Sequence, residues 1–350
     1  MFWSDTVKYK TVGMDIGYSN VKCAVGDGTL PRILIFPAGA GPVEAYSEDV
    51  GVGAGHDRTG DVIEIDGRHY VAGVEPCALR SKRNRHRDYP LSEEYLALYR
   101  CALLKLQATE INVLVTGVPV DQYTDKKLCE QIVSRLSGTQ QITENIAVNV
   151  HDVAVTAQPV GSFADASFQL STDSDRQIVQ EGRVLVLDPG SQTLDWAAFD
   201  QGRLIRTASG SSYLAMGQML ELAAKSIETE LGDRVKPERI EQALRRGTDT
   251  VLFHGEHLDY SRFIKSALQS IHRDIVTELL NSKTLEREQF DLVIVTGGGA
   301  NYYRQIAAEA FRGSRIEVLP HPVAGNVRGY WLLATARQQA LASTAPQQTR

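Results

Sequence analysis

The sequence predicts an α/β fold in two domains built to a common plan, and three observations predict it. Two hydrophobic runs end in the same device, Met14-Asp15-Ile16-Gly17-Tyr18-Ser19-Asn20-Val21-Lys22 and Leu187-Asp188-Pro189-Gly190-Ser191-Gln192-Thr193-Leu194-Asp195. In each, a carboxylate closes a buried strand, a glycine permits a tight turn, and hydroxyl or amide side chains line the turn before another strand begins. The third observation is Val293-Ile294-Val295-Thr296-Gly297-Gly298-Gly299-Ala300, an apolar strand running directly into glycines. At 350 residues the chain is long enough for two domains, each with its own core.

The first cycle opens with strands at Lys10 to Met14, Val21 to Gly26 and Arg32 to Phe36. From Ala38 to Pro90 the sequence turns rich in Gly and charge, with a short strand pair at Val62 to Ile65 and His69 to Val71, as expected of an inserted subdomain. Ser92 reads as an N-cap before Tyr95, Tyr99, Ala102, Leu103 and Leu106 at helical spacing, and a strand from Ile111 to Val115 follows. The second cycle begins with strands at Val184 to Leu187, Trp196 to Phe199 and Leu204 to Thr207. Gly210-Ser211-Ser212 then reads as a turn before helices at Tyr213 to Glu230 and Pro237 to Arg246. A longer helix carries Ile264, Leu268, Ile271, Ile275 and Leu279 on one face. Strand Leu292 to Val295, a helix from Ala300, strand Arg315 to Val318 and a last helix from Val323 to Gln339 complete the cycle. The expected domains are 1–160 with an insert near 38–90, and 161–322 with a helical insert near 212–285. A helix at 323–339 returns to the first domain, and 340–350 is expected to be a disordered tail.

Composition is that of an ordinary globular protein, 43% hydrophobic and 23% charged, with net charge −6. No apolar run reaches the roughly 18 to 20 residues that span a bilayer, and the first residues lack the apolar core of a signal peptide, so the expected location is cytoplasmic, without a membrane partner. Cys23, Cys77, Cys101 and Cys129 form no CxxC pair and are expected to be buried thiols. Mild acidity argues against direct nucleic-acid binding through bulk charge. One exception is the basic run Arg80-Ser81-Lys82-Arg83-Asn84-Arg85-His86-Arg87, which reads as a solvated loop, a contact to an acidic partner surface or a nucleic-acid contact.

The two Asp turns have the chemistry of a split phosphate clamp. Exposed backbone N–H groups of such turns form anion-binding nests, and Mg²⁺, which sheds water reluctantly, is held by one or two carboxylates together with phosphate oxygens. Asp188 ends a strand apolar on both faces, where an uncompensated carboxylate would cost several kcal/mol. Gln192 and Thr193 sit where amide and hydroxyl groups reach phosphate oxygens. Lys22 is expected either to pair with a phosphate or to be a solvated edge lysine. The glycines after Thr296 let the backbone approach a flat ligand. A Walker A loop is excluded because no Gly-Lys pair occurs, and Gly51-Val52-Gly53-Ala54-Gly55 lacks the last glycine and the preceding strand of a dinucleotide fingerprint. His254-Gly255-Glu256-His257 reads as a surface turn rather than a metal site.

These motifs resemble a known superfamily. The segment from Asp15 to Lys22 is similar to the first phosphate motif of the actin, Hsp-type chaperone and sugar kinase superfamily, that from Asp188 to Asp195 to its second, and Thr296 to Ala300 to its adenosine motif. Within it the chain resembles the ParM/StbA actin-like proteins of bacteria and archaea, through Ser19-Asn20-Val21-Lys22, Thr116-Gly117-Val118-Pro119-Val120 and Asn326-Val327-Arg328-Gly329-Tyr330.

The resemblance implies an actin-like fold of two ribonuclease-H-like domains around a nucleotide cleft, binding ATP (or GTP) with Mg²⁺. It assigns Asp15 and Asp188 to the hydrated metal and Gly17, Tyr18, Ser19, Asn20, Lys22, Gly190, Ser191, Gln192 and Thr193 to the phosphates. Gly297, Gly298, Gly299 and Asn301 fall to the adenosine. Gln158, in Val155-Thr156-Ala157-Gln158-Pro159-Val160-Gly161, is similar in position to the hinge Gln or Glu that aligns the attacking water, and with Asp188 makes up the expected catalytic set. Pro189 departs from the pattern and removes one N–H from its turn. The implied function is a slow, assembly-coupled ATPase that forms filaments of itself and segregates plasmid or other DNA through a DNA-binding adaptor. A sugar-type kinase of the same superfamily is the alternative.

Overall fold

The computed structural model describes residues 7–46, 60–79, 86–170, 172–285 and 288–344. In chain order the elements are β1 (Val7–Ile16), β2 (Asn20–Val25), β3 (Arg32–Pro37), β4 (Gly39–Pro42), β5 (Asp61–Ile65), β6 (Arg68–Val74), α1 (Glu93–Lys105), β7 (Ala108–Val118), α2 (Val120–Tyr123), α3 (Lys126–Leu136), β8 (Gly138–Thr143), β9 (Ile146–Ala157) and α4 (Gln158–Gln169). They continue with α5 (Asp173–Glu181), β10 (Arg183–Pro189), β11 (Leu194–Asp200), β12 (Arg203–Ser212), α6 (Met216–Leu231), α7 (Pro237–Arg245), β13 (Thr250–Phe253), β14 (Glu256–Asp259), α8 (Ser261–Asn281), β15 (Leu292–Val295), α9 (Ala300–Ala310), β16 (Arg315–Val318) and α10 (Gly325–Thr344). The chain divides into two units, one holding the residues up to Asp165 and those from Ala324 onward, the other Ala166–Val323.

The first unit is built on a six-stranded sheet in the order β3-β2-β1-β7-β9-β8. Strands β1 to β3 form an antiparallel meander, because the Asp15 turn is short enough to fold β2 back on β1. Strands β7 and β9 run parallel to β1, and β8 pairs antiparallel with β9. The second unit has the order β12-β11-β10-β15-β16, again an antiparallel meander followed by two strands parallel to its first. Setting β8 aside, the two sheets share one connectivity, and the repeated motif stands at the same place in each. Strand β10 is buried from Val184 to Pro189 and β15 along its whole length, as expected of parallel strands covered on both faces.

Helix α1 begins where the Ser92 hydroxyl accepts the Tyr95 N–H. Its buried residues include Tyr95, Leu98, Tyr99 and Leu103, spread around the helix, because it is covered on one side by the three-stranded sheet β4-β6-β5 and on the other by β1 and β7. Leu98 and Leu103 each contribute about 1.5–3 kcal/mol on burial. In the second unit α6, α7, α8 and α9 pack around Met219, Ile227, Ile264, Ile271, Ile275 and Tyr303. The His254-Gly255 pair is the exposed tip of the β13–β14 hairpin, both residues at positive φ, which is the turn such pairs favour.

Several elements differ from expectation. Gly210, Ser211 and Ser212 are not a turn but the end of β12, pairing with Trp196, Asp195 and Leu194. Gly210 is needed there because a Cβ would lie 2.6 Å from the Trp196 ring. The C-terminal helix continues to Thr344, so residues 340–344 are helical rather than a disordered tail. Ala and Leu extend the helix, and Thr344 caps back to the Ala340 carbonyl. Residues 345–350 lie outside the described residues, as do Gly51 to Gly55 and positions 80–85 of the basic run. Cys23 and Cys101 are buried, but Cys77 and Cys129 are only half-buried. Among the described residues no helix is long and apolar enough to cross a membrane.

Candidate functional site

In the first unit the turn closes with Ile16 opposite Val21 and the Gly17 N–H donating to the Asn20 carbonyl at 3.1 Å. Its far side is fixed by the Ala38 N–H, which donates to the Ser19 carbonyl at 3.0 Å. Tyr18 stacks on Tyr89 at 4.6 Å, and Tyr89 meets Tyr95 edge-on at 5.4 Å, so the turn is anchored to the start of α1. Asp15 is 2% exposed, and Lys22, directly opposite in the register, places Nζ 2.7 Å from its Oδ2. Lys22 is therefore neither a solvated edge lysine nor free of a protein partner. Burial, reinforced by the Asp15 carboxylate, pushes the Cys23 thiol and the Tyr95 phenol up, so both stay neutral beside it.

The other oxygen of that carboxylate, Asp15 Oδ1, is buried without a hydrogen-bond partner. An acceptor left so costs about 1–3 kcal/mol, more when charged, unless a further group comes to it. Among the described residues no three His, Cys, Asp or Glu side chains converge as ligands for a bare ion. An orphaned carboxylate oxygen fits the water shell of Mg²⁺, which keeps several waters and needs few protein ligands.

The second unit repeats the closure. Pro189 faces Leu194, and the Gly190 N–H donates to the Thr193 carbonyl at 2.8 Å and the Asp188 carbonyl at 3.0 Å. Where β2 carries Lys22, β11 carries Asp195, which is 1% exposed and accepts hydrogen bonds from the Thr193 hydroxyl at 2.6 Å and from Ser211. Pro189 supplies no N–H and Gly190 spends its own within the turn. The backbone donors left to the turn are those of Ser191, Gln192 and Thr193, none of which bonds a backbone carbonyl among the described residues. The turn is bolted to α6 by Met216 N–H to the Gly190 carbonyl and Gly217 N–H to the Ser191 carbonyl.

The glycine run folds onto the same turn. Thr296 N–H donates to the Leu187 carbonyl at 2.9 Å and Gly299 N–H to the Pro189 carbonyl at 3.0 Å. Gly297 has φ +74°, and a Cβ there would lie 2.1 Å from Asp188 Oδ1, so only glycine lets this backbone approach the carboxylate. Gly298 is exposed with open space above it, and Asn301 is exposed in the first turn of α9. Asp188, Gly190 to Thr193 and Gly297 to Gly299 are thus brought together, at the carboxyl ends of β10 and β15, where parallel sheets bind ligands.

The same edge of the first sheet holds Asp15, at the end of β1, and Gln158, which follows β9 directly as the first residue of α4. Gln158 is half-buried, and its backbone carbonyl accepts from the Tyr330 hydroxyl at 3.4 Å. One feature of the second turn is not anticipated from sequence. Ser191 donates to Glu241 of α7 at 3.3 Å, and Arg245 lies 4.0 Å from the same carboxylate, which is buried. The two residues are one helical turn apart on a strongly amphipathic helix, but nothing in that pattern says which strand turn the helix covers.

Two family models match the chain. Residues 13–161 match actin-like proteins, N-terminal domain, and residues 186–307 match the archaeal actin homologue MreB-like C-terminal domain. The chain is an actin-like protein. Its fold is similar to that of Alp7A, an actin-like protein (16% identity, 98% of this chain and 100% of that one, TM-score 0.74). It is also similar to Ta0583, an archaeal actin homolog solved in complex with ADP (18% identity, 93% and 99%, TM-score 0.68). A third likeness is to the ParM of a 15-stranded filament from Clostridium botulinum (16% identity, 94% and 100%, TM-score 0.68). No curated protein matches its sequence. The actin-like fold accounts for the shared connectivity of the two sheets and for the placement of the repeated turn in each.

Proposed function

We propose that this actin-like protein binds ATP with Mg²⁺, hydrolyses it slowly and assembles into filaments of itself. The observation that carries the reading is the duplicated device: a buried Asp followed by a tight turn that a glycine N–H closes, at the carboxyl edge of each sheet, with one carboxylate oxygen orphaned in the first copy. The ADP complex of Ta0583 and the ParM filament support nucleotide binding and self-assembly by fold.

In this reading Asp15 and Asp188 hold the hydrated metal, and Gly17 to Asn20, Lys22 and Gly190 to Thr193 contact phosphates. When bound there, Mg²⁺ would supply charge neutralisation to the phosphate oxygens. Gly297 to Gly299 and Asn301 lie against the adenosine. Gln158 has no basic group, so its role is to orient water for in-line attack, and turnover is slow until that geometry is tightened. Contact between copies is the proposed source of the tightening, since a head-to-tail contact that does not close generates a filament. Guanine nucleotide as an alternative ligand, cytoplasmic location and DNA segregation through a DNA-binding adaptor belong to the same proposal.

Light scattering of the purified chain is expected to rise on adding ATP and Mg²⁺ and to decay as nucleotide is consumed; a flat trace, with no filaments by electron microscopy, contradicts self-assembly. Gln158→Ala is expected to keep nucleotide affinity while slowing phosphate release roughly tenfold or more, with longer-lived polymers. Unchanged release together with unchanged polymer lifetime rejects the role given to Gln158.

A further inference from the structure

Helix α4 carries Gln158 at its first position, and Gly161, Ser162 and Asp165 follow at spacings of three, four and seven, on the same face. That face packs on α10. Gly161 and Gly329 bring the two backbones into direct contact, since a Cβ on Gly329 would lie 1.7 Å from the Gly161 carbonyl oxygen. Below this crossing two polar links join the helices. Ser162 donates to Asn326 Oδ1 at 2.6 Å, and Arg328 grips Asp165 with both arms, Nε to Oδ1 at 2.8 Å and Nη2 to Oδ2 at 2.5 Å. The pair is buried, with side-chain exposure of 9% and 1%.

The same stretch of α10 also fixes the strand of Asp15. A Cβ on Gly13, two residues before Asp15, would lie 2.4 Å from the Val327 carbonyl oxygen, so the helix rests on bare backbone of β1. The Tyr330 ring passes between Gly117 of β7 and Gly161, where side chains would collide with it, and its hydroxyl reaches the Gln158 carbonyl.

A buried ion pair is a poor way to stabilise a helix crossing, because apolar residues of similar volume do as well or better. What a two-armed Arg–carboxylate pair adds is one rotation and one register. We infer that Asp165–Arg328, with Ser162–Asn326 and Tyr330, is a positioning device that fixes Gln158 relative to Asp15, so that its loss slows hydrolysis without weakening nucleotide binding. The inference rests on the water-orienting role proposed for Gln158. Asp165, Arg328, Ser162, Asn326 and Tyr330 are positioning residues.

The test uses the full chain, ATP with Mg²⁺, and three measurements: thermal melting, ATP affinity and single-turnover phosphate release. Asp165→Leu combined with Arg328→Met replaces the pair by packed apolar groups. It is expected to leave affinity within about twofold and to slow release about tenfold, the scale of a small misplacement of a reacting group. Ser162→Ala, a milder change that carries the test should the double variant not fold, is expected to slow release about threefold. In a Gln158→Ala background neither change should slow release further. Wild-type release from folded variants, with Gln158→Ala itself slow, overturns the inference alone. So does slowing that multiplies with Gln158→Ala, because the effect then runs through another group. Wild-type release from Gln158→Ala overturns the proposed role of Gln158 and this inference with it.

Discussion

Replacing Asp188 by alanine is expected to abolish Mg²⁺-dependent ATP hydrolysis while leaving the second unit folded. Asp188 is 5% exposed directly after the apolar run Val184 to Leu187 of β10, and the backbone around it is shaped to admit it: Gly297 adopts positive φ and leaves its Cβ position to the carboxylate. The substitution leaves the backbone pairing of β10 with β11 and β15 in place, so the second unit is expected to stay folded. The loss therefore falls on the chemistry, where a missing metal-side carboxylate removes transition-state charge stabilisation, on the order of 100-fold or more in rate. Phosphate release measured on a variant with wild-type circular dichroism decides the matter. A rate near wild type takes Asp188 out of the site.

The largest effect on stability is expected from Gly329→Ala. A methyl group there would overlap the Gly161 carbonyl oxygen at 1.7 Å and its carbonyl carbon at 2.3 Å, both backbone atoms that no rotamer change can move. The two helices must separate, which disturbs Ser162–Asn326 and Asp165–Arg328 at once. Overpacking of this kind costs about 3 kcal/mol, enough to lower the melting temperature on the order of 10 °C. Gly298→Ala is the matched control, since its Cβ would meet nothing within 4 Å and its φ is not in the left-handed region. Its melting temperature is expected to stay close to wild type. Equal melting of the two variants would show that the helices are not in backbone contact at Gly161.

The parts of the fold legible in sequence are those whose burial is two-sided or whose turns are chemically constrained. Strands β10 and β15 read as central because Val184 to Leu187 and Leu292 to Val295 are apolar without alternation, and they are buried throughout. Ser92 is legible as a cap because only its hydroxyl precedes a helical apolar pattern, and it does cap. Helices α3 to α5 and the β8–β9 hairpin fall in a stretch where short polar segments hide the pattern, although the alternation of Val148 and Val150 in β9 was a usable signal. Small polar residues at Gly210 to Ser212 suggest a turn, but the bulk of Trp196, brought alongside by β11, makes that composition a strand requirement.

The candidate site shows the same division. The Asp15 and Asp188 turns and the glycine run are local in sequence and readable from spacing. The Lys22 partner is not readable, because a strand residue's face is known from alternation while its pairing depends on register. Neither is Glu241 against Ser191, nor Arg328 against Asp165, whose partners lie far apart along the chain. Such pairs are made by packing, and no local pattern encodes them.

Calorimetric titration of the purified chain with ATP in the presence of Mg²⁺ tests the central claim most directly. Saturable uptake at a single site, weakened when Mg²⁺ is chelated, is the predicted result. Absence of saturable uptake of either ATP or GTP, with Mg²⁺ supplied in excess, would contradict it.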